Sequence, residues 1–425
     1  MGKNARDKRP NLKPVKKIEL SEKNTTSRFV LLIVLLAIAA VSFTVFLFSL
    51  LNKDNGWQTI SPSTNENIYT SEISLNYLLG TGETNATAEH KAIQKIYTEK
   101  IGEAYRAFSK YQNFDGVVNL KTLSHSFNSD LAVSPLLYRT LKTMTENDNR
   151  ILYYAPVYSL YSNVFYASDD VIAKSQDPHY NYELLEDINK LLPYVMSADH
   201  IRVEFVDDDT NTLRLFVSEE YQAILTDLYI EDIISLGIFE MAFVVDYVAD
   251  ALGAAGYTNG TISSYNGYTR SLGTQGQTLS SNIYEATDDR QVKTIARYSY
   301  SGSLSMVSFR NYPVTDLDTL NFYVYEDGNI VSPYINLYTG LNDKLALNDM
   351  VFYSKTTSCA KLALMTYEYF ANASLMGNDI NTLTNLGIYS IYTIDGAIFY
   401  NEASLISDAN LKVLLSGYQK SYAKS

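Results

Sequence analysis

Cysteine is almost missing from this chain of 425 residues: Cys359 stands alone, so no intrachain disulfide can form, and no lipid-bearing cysteine follows the N-terminal apolar run. Histidine is nearly as scarce. His90, His125, His179 and His200 never reach a zinc spacing such as H-E-x-x-H, and none of the four is assigned a role. A Gly-Lys-Ser phosphate loop and a G-x-S-x-G nucleophile elbow are also missing. These gaps exclude disulfide scaffolds, the common zinc and serine hydrolases, and P-loop nucleotide hydrolysis. Tryptophan occurs once, against 36 tyrosines and 17 phenylalanines. Such tyrosine-rich surfaces suit the binding of sugars or partner proteins, although biased coding gives the same balance.

Positive charge is short too. The chain carries 34 Lys and Arg against 47 Asp and Glu, a net charge of −13. The distribution is uneven: residues 1–28 hold nine Lys or Arg and three Asp or Glu, which leaves 25 against 44, or −19, for the rest. An acidic domain excludes nucleic acid as a partner, because phosphate binding needs a cationic surface.

Between the basic start and the acidic remainder lies Phe29 to Leu51, 23 residues without a charge. At about 1.5 Å of rise per residue a helix of that length reaches about 35 Å, enough to cross a hydrocarbon core. A cleaved signal has an apolar core of only about 7 to 15 residues before a small-residue cleavage site. Here the run ends in Phe48-Ser49-Leu50-Leu51, so an uncleaved anchor is expected. Flanking Lys and Arg stay on the cytoplasmic side, which orients the chain with residues 1–28 as a cytoplasmic tail. The expected organisation is that tail, a membrane helix over 29–51, a polar stalk over 52–66 containing Pro62, and an extracytoplasmic domain over 67–425.

The pattern within that domain is α+β. Alternation over Ile68 to Leu79 predicts a strand, and apolar residues from Ile93 to Phe108 recur at three and four, the spacing of one helix face. Ser134-Pro135 is a helix start ahead of Leu136–Met144. Tyr182 to Val195 predicts another helix, and IRVEFVDDDTNTLRLFV a hairpin. Asp207, Asp208 and Asp209 lack calcium-loop spacing and its glycine, so turn chemistry accounts for them. Leu236 to Ala255, stopped by Gly256, predicts the most buried helix. Residues 260–282, rich in Gly, Ser, Thr and Tyr, predict an exposed loop or short turns. Strands follow up to Thr339-Gly340, then a helix over Ser358–Phe370 and a hairpin turning at Asp395-Gly396. One mixed unit with two lobes is expected.

Several of these segments, in order, resemble the ApbE family. Phe108-Ser109-Lys110-Tyr111 is similar to its F-S-x-Y segment, Leu131 to Tyr138 to v-S-P-e-L-y, and Tyr154-Ala155-Pro156 to F-D-P. Leu236 to Asp246 resembles D-L-G-A-I-A-K-G-Y-A-V-D, with Ser235 in place of the Asp and Met241 in place of the Lys. Tyr265-Asn266-Gly267-Tyr268 stands where the family has a Gly-Gly-Asp loop. Pro333 to Gly340 resembles H-I-I-D-P-R-T-G, with Pro333 for His, Asn336 for Asp and Tyr338 for Arg. Ala360 to Met365 occupies the register of A-D-A-L-A-T, so Lys361 and Met365 replace the family's metal-binding Asp and Thr.

The resemblance implies an ApbE-like mixed α/β domain and, in the family, magnesium-dependent transfer of FMN from FAD to a protein threonine. It carries over Gly237, Gly267, Thr339, Gly340 and Lys361 as cofactor-binding positions, while Met241, Pro333 and Asn336 leave no intact catalytic residue. Magnesium needs oxygen ligands, and a lysine ammonium repels it. The reading that follows is a catalytically inactive relative, acting as a binding or scaffolding module beside a membrane or cell-surface protein, with room for FAD but not for magnesium. Two alternatives stay open. One is an FMN transferase that uses Glu240 or Asp246 at its metal; the other is a surface protein with no flavin, which binds cell-wall polymer or a membrane neighbour.

Overall fold

The computed structural model describes residues 33–35, 38 and 42, and those from 54 to 422 except 65–66, 83, 147–149, 287–290, 315–317, 319–320, 343–348, 372–376, 395 and 402–409. Contacts divide the chain into residues 1–53 and 54–425. Most of the expected membrane helix and Asp395 of the expected hairpin turn lie outside the described residues. Positions 33–35, 38 and 42 are helical, and no helix among the described residues is long and apolar enough to cross a membrane.

The strands of the second unit are β1 (Gly56–Ile60), β2 (Ile73–Leu79), β3 (Leu131–Ala132), β4 (Ile201–Asp207), β5 (Thr212–Val217), β6 (Gly260–Ser264), β7 (Tyr268–Ser271), β8 (Leu279–Ala286), β9 (Val292–Tyr300), β10 (Leu304–Arg310), β11 (Tyr323–Val324), β12 (Ile330–Val331), β13 (Asp349–Ser354), β14 (Ile388–Ile394), β15 (Ala397–Tyr400), β16 (Leu411–Val413) and β17 (Gln419–Tyr422). Nine of them form one sheet in the order β1-β2-β6-β7-β10-β13-β14-β15-β17. The β15/β17 pair in it is parallel. β16-β9-β8 and β3-β5-β4 make two smaller sheets, and β11-β12 a two-stranded ribbon.

Pleat alternation decides how the layers stack, because successive side chains of a strand face opposite ways. Along β13, Met350 and Phe352 enter the larger apolar cluster, with the helices Glu240–Ala254 and Cys359–Ala371. Val351 and Tyr353 enter a second cluster with Ile283, Ile295 and Tyr298 of β8 and β9. Every residue of β13 is therefore buried. The helices cover one face of the long sheet and the β8–β9 hairpin the other. Contacts gather residues 54–425 into one compact unit, so the two expected lobes are replaced by two cores on either side of one sheet.

Local signals work where caps and periods are strong. Ser134 Oγ accepts from Leu137 N at 3.2 Å and starts the helix Pro135–Thr145. The helix Tyr182–Val195 and the β4–β5 hairpin stand as expected, and Gly256 stops its helix with a φ of +86°.

Three expectations need correction. Gly56–Ile60, inside the expected stalk, pairs antiparallel with β2 as the edge of the long sheet, and Trp57 Nε1 donates to Gln277 Oε1 at 2.6 Å. Tyr69–Glu72 is a helical turn rather than the start of the strand, held by Thr70 Oγ1 to Asn67 O and Ser71 Oγ to Ile68 O, both 2.8 Å. Residues 260–282 are not an exposed loop: β6 and β7 sit inside the sheet between β2 and β10. Their glycines mark close approach of neighbouring chain, since a Cβ on Gly260 would lie 2.8 Å from Asn76 O.

Candidate functional site

The helix Glu240–Ala254 and the start of the helix Cys359–Ala371 hold most of the positions carried over from the resemblance. Gly237, with a φ of +56°, opens the short turn before Glu240, and its N–H donates to Ser235 Oγ at 3.0 Å. Met241 points into the core. Asp246, five residues further along the helix, is buried with three donors around it. Cys359 N and Ala360 N donate at 3.0 and 2.8 Å, and the Arg270 guanidinium at 2.6 Å. The carboxylate thus caps the second helix, where free amides and the helix dipole favour negative charge, and neutralises Arg270. All the donors are fixed parts of the fold.

Lys361, in the first turn of that helix, is exposed and makes no ion pair among the described residues. Its backbone N–H donates to Ser358 Oγ at 3.4 Å. One turn on, Met365 packs against the larger core. Neither side chain supplies an oxygen, and Asp246 is already engaged, so magnesium does not fit these positions.

The segment from Pro333 to Gly340 is held by phenols. Tyr367 Oη donates to Ile335 O at 2.7 Å and accepts from Ile335 N at 2.8 Å, while Tyr154 Oη donates to Leu337 O. Pro333 is buried. Asn336 Oδ1 accepts from Tyr338 N at 2.9 Å, closing its own turn, and Thr339 Oγ1 accepts from Leu341 N at 3.3 Å. Gly340 has a φ of +68°, and a Cβ there would come within 2.8 Å of Ile188 Cγ2. At Gly267 the φ is +100° and the Cβ would lie 2.2 Å from Ser308 O on β10. Packing within the fold alone demands glycine at both places.

A second constellation escaped the sequence reading except for Glu240 and Tyr265. Tyr69, on the unforeseen helical turn, is buried and donates its hydroxyl to Glu240. Glu72 closes the same turn, and its carbonyl accepts from Tyr265 N at 3.1 Å. Burial, with the Glu240 charge adding, pushes the Glu72 carboxyl up to about 7. Burial likewise raises Glu240, against the opposing effects of the Tyr69 hydrogen bond and the Lys110 charge. Tyr265 Oη accepts from Asn321 Nδ2 at 2.8 Å, and burial pushes this phenol up to about 12. Arg310 Nη2 donates to Tyr265 O at 3.1 Å and pairs with Asp318 at 3.4 Å.

Chemically, these groups set two carboxyl groups raised by burial, Glu72 up to about 7, among the phenols of Tyr69 and Tyr265. No group of three or more His, Cys, Asp or Glu is gathered for a metal ion among the described residues. The signal for Glu72 was faint, because four helical residues ahead of a strand leave no period to read.

No protein-family model matches the sequence, and no curated protein matches it. Solved structures do. The ApbE protein of Thermotoga maritima is 15% identical, with 79% of this chain and 94% of that chain covered at a TM-score of 0.53. The flavin transferase ApbE from Vibrio cholerae is 14% identical, with 84% and 98% covered at 0.54. The apo form of the Pseudomonas stutzeri flavinyl transferase ApbE is 12% identical, with 83% and 93% covered at 0.50. At such identities the likeness concerns architecture: this chain has the mixed α/β fold of the ApbE flavin transferases.

Proposed function

We propose that this chain is a membrane-anchored, extracytoplasmic ApbE-like protein that does not transfer FMN and serves as a binding or scaffolding module near membrane partners. Residues 29–51 are its anchor, residues 1–28 its cytoplasmic tail, and the domain from residue 54 lies on the outer face. The observation that carries the loss of transfer is Asp246. It is the one acidic residue retained from the family pattern quoted above, and both its oxygens accept hydrogen bonds from Cys359, Ala360 and Arg270.

The full chain, solubilised with FAD, magnesium and a threonine peptide, should leave the peptide mass unchanged. Gain of one FMN would overturn the reading. For the anchor, alkaline carbonate should leave the chain with the membrane, and protease added outside intact cells should digest the domain; release or protection would count against it.

Flavin binding without transfer is a second reading, favoured by one feature. Tyr111, at the F-S-x-Y position, is 76% exposed with the Lys110 ammonium 5.1 Å from its ring centre, a cationic and aromatic surface on which a flat anionic heterocycle can stack. Titration should then quench FAD fluorescence in the wild type and less in Tyr111→Ala. An unchanged signal in the wild type would remove this reading.

A further inference from the structure

We propose that the surface built from the turn Ser162–Tyr166, the helix Asp170–Gln176 and the β11–β12 hairpin binds a cationic, aromatic or apolar-faced segment of another protein. The proposal deepens the reading as a binding module by stating the chemistry of the partner. It stands or falls separately from FMN transfer.

Large apolar side chains are presented to solvent here rather than buried. Val171 is 81% and Tyr166 73% exposed, and Ile172, Tyr180 and Val324 are exposed as well. They belong to one place. Asp170 ties the helix to the hairpin, its carboxylate accepting from Tyr323 Oη and from Glu326 N, both at 3.0 Å. The turn carrying Tyr166 packs against both elements.

The surface is also preorganised, which lowers the entropy cost of binding. Asp169 Oδ1 accepts from the N–H groups of Val171 and Ile172, each at 3.0 Å. Tyr325 N donates to Asn329 O at 2.9 Å across the hairpin turn, and Tyr325 Oη donates to Asp177 at 2.8 Å.

Charge selects the occupant. Within the elements that build the surface, residues 162–176 and 323–331, Asp169, Asp170, Glu326 and Asp327 stand against a single cation, Lys174. Asp169, Glu326 and Asp327 are exposed around the apolar tips. A second copy docking through the same face would set carboxylates against carboxylates, and an anionic lipid surface would be repelled in the same way. A partner rich in Arg or Lys finds both counter-charge and ring faces. Lys174 already uses this chemistry: its ammonium lies 5.3 Å from the Tyr180 ring centre and 5.8 Å from that of Tyr325.

The test uses the full chain in zwitterionic nanodiscs and a fluorescein-labelled peptide of alternating Arg and Tyr, followed by anisotropy, with empty nanodiscs as the blank. Binding is expected for this peptide and not for its Glu–Tyr counterpart. The triple variant D169N/E326Q/D327N should weaken it about tenfold, since Asn retains the helix cap while the charge is removed. Val171→Ser should weaken it severalfold without changing the thermal melt. Asp209→Asn, on the distant β4–β5 turn, should leave it unaltered. Equal weakening by Asp209→Asn would assign the effect to diffuse charge and overturn the proposal, as would unchanged binding in the triple variant. Self-association of the wild type in sedimentation, abolished by Val171→Ser, would replace it with a contact between copies.

Discussion

Glu240 and Asp246 lie six residues apart on one helix, yet the fold treats their carboxyl groups in opposite ways. Asp246 faces two helix amides and a guanidinium. Glu240 faces a phenol and, nearby, a second carboxyl on Glu72. The first arrangement needs the charge and offers nothing to a ligand. The second resists the charge, and burial raises both of its carboxyl groups. Six residues of one helix thus separate a carboxylate locked to amides and a guanidinium from one that burial raises, and residue type alone distinguishes neither.

Removing Asp246 should break the contrast most severely. Asp246→Ala leaves the half-buried Arg270 with only Asp250, at 3.4 Å, and two amides without an acceptor, so urea unfolding should show a loss of about 3 kcal/mol. Asp246→Asn, which retains an acceptor, should lose less. If the alanine variant were as stable as the parent, the structural role assigned to Asp246 would be wrong.

Next in size is Gly267→Ala, where a positive φ combines with the carbonyl of Ser308 in the path of the new methyl. A loss of about 1–3 kcal/mol is expected, with or without FAD in the cuvette. A wild-type melt in that variant would return Gly267 to the ligand-contact role suggested by the resemblance.

A smaller effect carries a pH signature. Because the Glu72 carboxyl is raised from 4.5 to about 7, its proton stabilises the fold fully below the unfolded value, and that contribution is lost as pH climbs to about 7. Glu72→Gln should therefore gain about 1 kcal/mol over the parent at pH 8, a figure already reduced for solvent screening. The difference should close below pH 4.5. A difference constant with pH would mean that Glu72 and Glu240 do not share the burden of charge.

Smallest of all, Lys361→Ala removes an exposed ammonium without an ion pair among the described residues and should move stability by less than about 0.5 kcal/mol. A larger change would show that the lysine stem or head has a partner worth seeking.

The legible parts of this molecule share strong local physics. The Ser134-Pro135 cap, the apolar period ending at Gly256 and the alternation through the β4–β5 hairpin are each readable within about fifteen residues, and all stand in the structure. Polar stretches misled. Gly56–Ile60 read as stalk and 260–282 as loop because strand membership there depends on partners: β2 for the first, and β2 and β10 for the second. Of the site, Asp246 and Glu240 were both visible as carboxylates. Their different roles were not, since Arg270 lies 24 residues from Asp246 and the Cys359 amide 113 residues away.

By itself, the sequence determined the composition limits, the absence of an intrachain disulfide, the helix periods, and an order of segments like that of the ApbE family, because these depend on residues counted or spaced along one chain. Only the tertiary structure decided that the turn glycines answer to Ser308 and Ile188, that Asp246 is fully engaged, and that Tyr69 meets Glu240. Each of those outcomes is a contact between segments far apart in sequence, and burial sets charge and space at such contacts without leaving a local period to read.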